Sequence, residues 1–189
     1  MKRLRAISIL LLSSACAFAL AQDNAASRLG PAGGPSDRQI TGVMIAANQV
    51  DIDAGKLAKS RSKNKEVVAF AQSVIADSTA VNKQTFELMK RLKVKLTESD
   101  TSRSLRGSGK ETLAKLKELK GEDFDKAYAD NQAAYHQQVL DMIDTDLIPS
   151  AQNTGLKDLL AKVRPAMAAH LDRVKTLQSS FGKKEAAKP

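Results

Sequence analysis

The sequence predicts an all-α protein: one four-helix bundle made of two antiparallel hairpins joined by a long crossover that carries a short helix. Three observations predict it. Apolar residues recur at alternating steps of three and four along four long stretches, the period of one helix face. No stretch alternates in the manner of a strand, and no segment repeats another. Short polar turns separate the first stretch from the second and the third from the fourth, whereas about 25 residues separate the second from the third, enough to cross a bundle at about 3 Å per residue.

The first helix is expected to start at a cap supplied by Ser36 or Asp37. Its stripe is Ile40, Val43, Ala47, Val50, Ala54 and Leu57, and Gly55 within it lets a neighbouring helix approach closely. A polar turn at residues 61–64 ends in Asn64, the cap of a second helix running to about Leu96. That helix carries Val67, Phe70, Ala71, Val74, Ser78, Val81, Thr85, Leu88 and Leu92 on one side. Lys90, Arg91, Lys93 and Lys95 crowd its end, where cations complement the helix dipole. Residues 97–109 read as a polar loop, and residues 110–120 as a short helix with Leu113, Leu116 and Leu119, ended by Gly121. A third long helix, residues 122–148, buries Phe124, Tyr128, Tyr135, Val139, Leu140, Met142, Ile143 and Leu147, and Pro149 stops it. The fourth, residues 154–181, buries Leu156, Leu160, Val163, Met167, His170, Val174, Leu177 and Phe181. Pro165 lies inside it and is expected to kink it, and Gly182 is placed to end it. A long crossover between two hairpins is the ferritin-like arrangement.

The chain begins with the basic Lys2, Arg3 and Arg5, then an apolar stretch, then Ala19-Leu20-Ala21 before polar residues. That order predicts a signal peptide over residues 1–21, and the stretch falls short of the roughly 20 residues that span a bilayer. The expected mature chain has a flexible linker at 22–35, a bundle domain at 36–182 and a disordered tail at 183–189, with no transmembrane helix. Its expected place is the periplasm or the medium. The alternative is a lipid anchor on Cys16, the only cysteine. With Cys16 removed the mature protein has no thiol, hence no disulfide and no cysteine ligand or nucleophile. Removing the three basic residues of the signal lowers the net charge from +9 to +6. A modestly basic exported protein favours anionic surfaces, such as lipid headgroups or wall polymers. Nucleic acid is excluded as a partner: tryptophan is absent and aromatic residues make up 4% of the chain, too few for stacking platforms.

Several short patterns together resemble a known family. Asp51-Ile52-Asp53-Ala54-Gly55-Lys56-Leu57-Ala58 is similar to its first-helix pattern, and Phe124-Asp125-Lys126-Ala127-Tyr128 to the start of its third helix. His136, and Pro165 followed by His170-Leu171, match further positions. The chain resembles, over nearly all its expected mature length, the exported bacterial ferritin-like bundle known as domain of unknown function 4142. The resemblance implies a fold and an export route but no activity. Two positions depart from the pattern. The second helix has Asp77-Ser78 where an acid and a histidine are usual, and the third has Tyr135-His136 where an acid precedes the histidine.

The chemistry rests on few residues. Both histidines of the chain, His136 and His170, fall near the core stripes of two helices expected to face each other. Asp51, Asp53 and Asp77 lie on the other hairpin. Two imidazoles with one or two carboxylates suit zinc, iron or copper. The simpler reading makes each histidine a hydrogen-bonded core residue, and no cofactor is then expected. A ferritin-type di-iron centre is excluded, because it needs a glutamate three residues before each histidine and those positions hold Ala133 and Met167. No nucleophile elbow, phosphate loop or dinucleotide fingerprint occurs. The sequence thus favours a non-enzymatic protein of the cell envelope that meets an envelope protein or an anionic surface, or serves in stress, with a metal-binding bundle as the alternative.

Overall fold

The computed structural model describes residues 33–186, with side chains to Phe181. The expected signal segment, Cys16, residues 22–32 of the expected linker and residues 187–189 of the expected tail lie outside the described residues. Within them every element is helical: α1 (Asp37–Arg61), α2 (Lys65–Leu92), α3 (Asp100–Glu118), α4 (Gly121–Met142), a π-helical turn (Ile143–Leu147), α5 (Ile148–Ser150) and α6 (Thr154–Ala186). None is long and apolar enough to cross a membrane.

Local chemistry sets the boundaries. Ser36 and Gln39 form a reciprocal capping box at the start of α1, and the Asn64 side chain accepts from the Glu66 N–H at the start of α2. Lys93 ends α2 in the left-handed region at φ 53. Asp37 accepts from the backbone N–H groups of Gln152 and Asn153 at 2.8 and 3.0 Å, tying the start of α1 to the approach to α6.

Two expectations need correction. Residues 100–109 are not a loop: α3 begins at Asp100, because Ser99 and Ser102 cap it reciprocally. Gly109 lies against Val50 of α1, where even a Cβ would come within 2.7 Å of Cγ2, whereas Gly107 faces open space. Gly182 does not end the last helix. α6 runs on to Ala186 through lysines, a glutamate and an alanine, all good helix formers, and it also continues through Pro165. Gly34, in the described part of the expected linker, abuts the Ser150 side chain. Pro149 falls in the short α5, and the chain leaves the helical region two residues later.

The long helices α1, α2, α6 and α4 form a ring, each touching the next, while α3 packs mainly on α1. Gly55 lies against Ile75 and the Ala71 carbonyl of α2, the close approach its position implied. The core has three levels. One apolar cluster gathers Ile40, Val43, Leu88, Val139, Leu156 and Leu160. A second gathers Ala58, Phe70, Val74, Phe124, Tyr128 and Val174. Between them each long helix is interrupted by buried polar residues: Asn48 and Asp51 on α1, Ser78 on α2, Gln132 and His136 on α4, and His170 on α6.

Candidate functional site

The polar level is assembled one helix at a time. On α1, Asp51 points inward and is 1% exposed. Asp53 is turned from it by roughly 200°, two residues of helical rotation. Its carboxylate instead accepts from Gln49 Nε2 at 2.8 Å on the exposed surface, so Asp53 drops out of the candidate ligand set. On α2, Ser78 is buried, while Asp77 beside it lies half exposed at the rim. On α4, Tyr128, Gln132 and His136 stack at one-turn intervals, all fully buried. On α6, His170 lies one residue before Leu171 of the second apolar cluster.

The two imidazoles meet with ring centroids 5.4 Å apart, nearly perpendicular. Phe70 stands edge-on to both, at 6.0 and 6.3 Å, and walls them on one side. His136 Nδ1 is 2.7 Å from the Gln132 carbonyl. A carbonyl only accepts, so Nδ1 carries the proton and, in the neutral ring, Nε2 carries a bare lone pair. Burial holds His136 in that form, pushing its pKa down to about 4 against the pull of the Gln132 hydrogen bond. His170 Nε2 is 2.9 Å from the Asp77 carboxylate, which accepts from it. In neutral His170 the lone pair then sits on Nδ1. Both rings are thus fixed through one nitrogen with the other left over, as second-shell partners fix metal-binding histidines.

The leftover atoms are buried. Asp51 Oδ2, Tyr128 Oη, Gln132 Oε1, His136 Nε2 and His170 Nδ1 are buried without a hydrogen-bond partner. His136 Nε2 and Asp51 Oδ2 are 3.5 Å apart, too far for a good hydrogen bond. Gln132 Nε2 donates to Asp51 Oδ1 over a long 3.4 Å. Burial pushes the Asp51 carboxyl up to about 7, partly offset by the charge of His170 and a hydrogen bond from Ser78. Burial and then the nearby Asp51 charge raise both tyrosines. The Tyr135 hydroxyl donates to the Ala47 carbonyl at 2.8 Å, whereas the Tyr128 hydroxyl faces Gln132 without a hydrogen bond of good length.

Of the five candidate ligands, then, the structure brings together Asp51, His136 and His170, places Asp77 behind His170, and leaves Asp53 outside. Among the described residues no group of three or more His, Cys, Asp or Glu side chains is arranged to hold a metal ion as it stands. Sequence reasoning missed Gln132 and the phenol of Tyr128, which it read as core. The available signal was depth: the four apolar stripes are each broken by polar residues at positions that a ring of antiparallel helices brings level.

Comparison with curated proteins and with solved structures gives no match. The family model described as "Domain of unknown function (DUF4142)" matches residues 21–177, from before α1 to near the end of α6, and the chain belongs to that family.

Proposed function

We propose that this protein is an exported, non-enzymatic helical bundle that holds one transition-metal cation, zinc, iron or copper, in the polar level of its core. His136 Nε2, His170 Nδ1 and the Asp51 carboxylate are the ligands. The carrying observation is that two buried imidazoles are each fixed through one nitrogen while the other stands bare, that of His136 beside the buried Asp51 carboxylate. The 3.5 Å gap between His136 Nε2 and Asp51 Oδ2 supports it. Two ligands at about 2.1 Å from a tetrahedral ion lie about 3.4 Å apart. His170, whose ring centroid lies 5.4 Å from that of His136, is the third donor on this reading. The proton states also suit a cation: His136 stays neutral, and Asp51, poised near 7, releases its proton to solvent when the ion binds. Holding rather than turnover fits a level sealed between two apolar clusters, where Asp77 is the member that reaches solvent. The basic start of the chain and its apolar run support export.

The test is metal content and thermal melting of untagged protein, with chelator and with added zinc, iron(II) or copper. One bound equivalent and a metal-dependent rise in melting temperature are expected in the wild type, with both lost in His170→Leu and Asp51→Asn. Identical melting with and without every ion, and no retained metal, would refute the proposal and leave a purely structural polar cluster.

A further inference from the structure

The second half of α2 combines features that its role in the core does not require. Between Lys83 and Leu96 lie five cations, Lys83, Lys90, Arg91, Lys93 and Lys95, against the single acid Glu87. All five cations are exposed, and none is in an ion pair among the described residues. The helix dipole accounts for Lys90 and Arg91, since it acts within the last turn. It does not account for Lys83, more than two turns upstream.

Phe86 and Leu96 are the exposed large hydrophobic residues among those described, at 49% and 44%, and both belong to this same stretch. Lys83, Phe86 and Lys90 share one face of α2 at spacings of three and four. That face turns away from the buried Thr85, Leu88 and Met89. Lys93, in the left-handed region, ends the helix, and the Val94 N–H bonds back to the Met89 carbonyl at 3.1 Å. The turn is therefore held to the helix end. Leu96 lies beside Gly42 of α1, whose missing side chain leaves room for residues 96–97. A groove of mixed charge runs alongside, between α2 and α6, lined by Lys83, Arg91 and Lys162 and by Glu87 and Asp158.

We infer that this end of the bundle docks on an anionic phospholipid bilayer, with Phe86 and Leu96 entering the headgroup boundary and the surrounding cations engaging phosphates. Charge complementarity selects an anionic partner. The two apolar side chains select a bilayer over a soluble polyanion, to which they would contribute nothing. Interfacial binding draws on buried apolar area plus attraction to anionic headgroups. This docking is independent of the metal proposal, because no residue of the polar level takes part.

Phe86→Trp provides a local reporter, since the chain has no tryptophan. The control is Glu122→Trp on α4, at the opposite end of the bundle, where Gly121 and Asn64 line one cavity. Both proteins carry the same N-terminal sequence, so its own effect on lipid is common to both. With vesicles of phosphatidylglycerol and phosphatidylcholine, Phe86→Trp emission is expected to shift to shorter wavelength and to be quenched by brominated chains, while the control stays unchanged. Vesicles of phosphatidylcholine alone should give no shift. In the Phe86→Trp background, reversing Lys83, Lys90 and Lys93 to glutamate should weaken the partition by at least about fivefold per lysine lost. An unshifted Phe86→Trp spectrum on anionic vesicles overturns the inference. So does undiminished sedimentation with these vesicles after Phe86→Ser and Leu96→Ser, which would mark the patch as a general polyanion surface.

Discussion

Around Leu160 the buried side chains of the cluster are apolar, whereas around His136 five buried polar atoms lack a partner. The two regions are neighbours on the same helices, so their difference is one of chemistry and not of position. Apolar burial stabilises by about 25 cal/mol for each Å² removed from water. A buried polar atom without a partner works against the fold by about 1–3 kcal/mol. The apolar clusters therefore hold the bundle together, and the polar level weakens it unless something fills it. On the proposal above, the cation is what fills this level.

The largest effect expected lies in the apolar region. Leu160 is fully buried, and Leu160→Ala should remove about 2–5 kcal/mol of unfolding free energy, measured by urea titration with chelator present. A loss well under 1 kcal/mol would mean that this cluster is loosely packed and that the contrast with the polar level is false.

The polar level should show itself through pH, again with chelator present. The folded protein keeps the Asp51 proton up to about pH 7, while the unfolded chain releases it near 3.8. This group's stabilisation is full below about pH 4 and is lost as pH rises towards 7. His136 acts oppositely. Its folded pKa is lowered to about 4 from 6.5, so its contribution is full above about pH 6.5 and is lost as pH falls towards 4. Each amounts to something on the order of 3 kcal/mol, and in the wild type they largely cancel. Asp51→Asn should expose the His136 limb, with stability rising from about pH 4 to 6.5. His136→Leu should expose the Asp51 limb, with stability falling across the same range. Two variants with parallel pH profiles would show that the groups do not titrate in this way.

Much of the bundle was legible in the sequence. The four stripes, the caps at Ser36 and Asn64, and the close approach at Gly55 follow from spacing and residue type. The start of α3 was not legible, because Gly107 and Gly109 weigh against a helix by about 1 kcal/mol each relative to alanine. What outweighs them is tertiary: α3 packs on α1 at Val50, a contact with no local signature. Gly109→Ala should therefore lower stability by about 1–3 kcal/mol through overpacking, despite its better helix propensity, and calorimetric melting would show it. A gain would mean that Val50 yields freely. The candidate site was half legible. The histidines and Asp51 stood out by type, but which of Asp51 and Asp53 turned inward depended on where the ring of helices placed the core. Gln132 and Tyr128 carried no mark of their own.

The smallest expected effect tests whether burial of a polar group alone defines the site. Thr85 is fully buried on α2, yet its hydroxyl donates to the Val81 carbonyl one turn back, at 2.8 Å. Thr41 and Ser102 are satisfied by their own helices in the same way. None of these hydroxyls needs a ligand or a partner helix. Thr85→Val removes a net hydrogen bond worth about 1 kcal/mol and adds a buried methyl group that offsets much of it. Its stability should stay within about 1 kcal/mol of the wild type in urea titration, with the pH profile and metal-dependent melting unchanged. If Thr85→Val altered either of those two readouts, the polar level would extend along α2 into the apolar cluster. The distinction between satisfied and unsatisfied buried polar groups, on which the site assignment rests, would then fail.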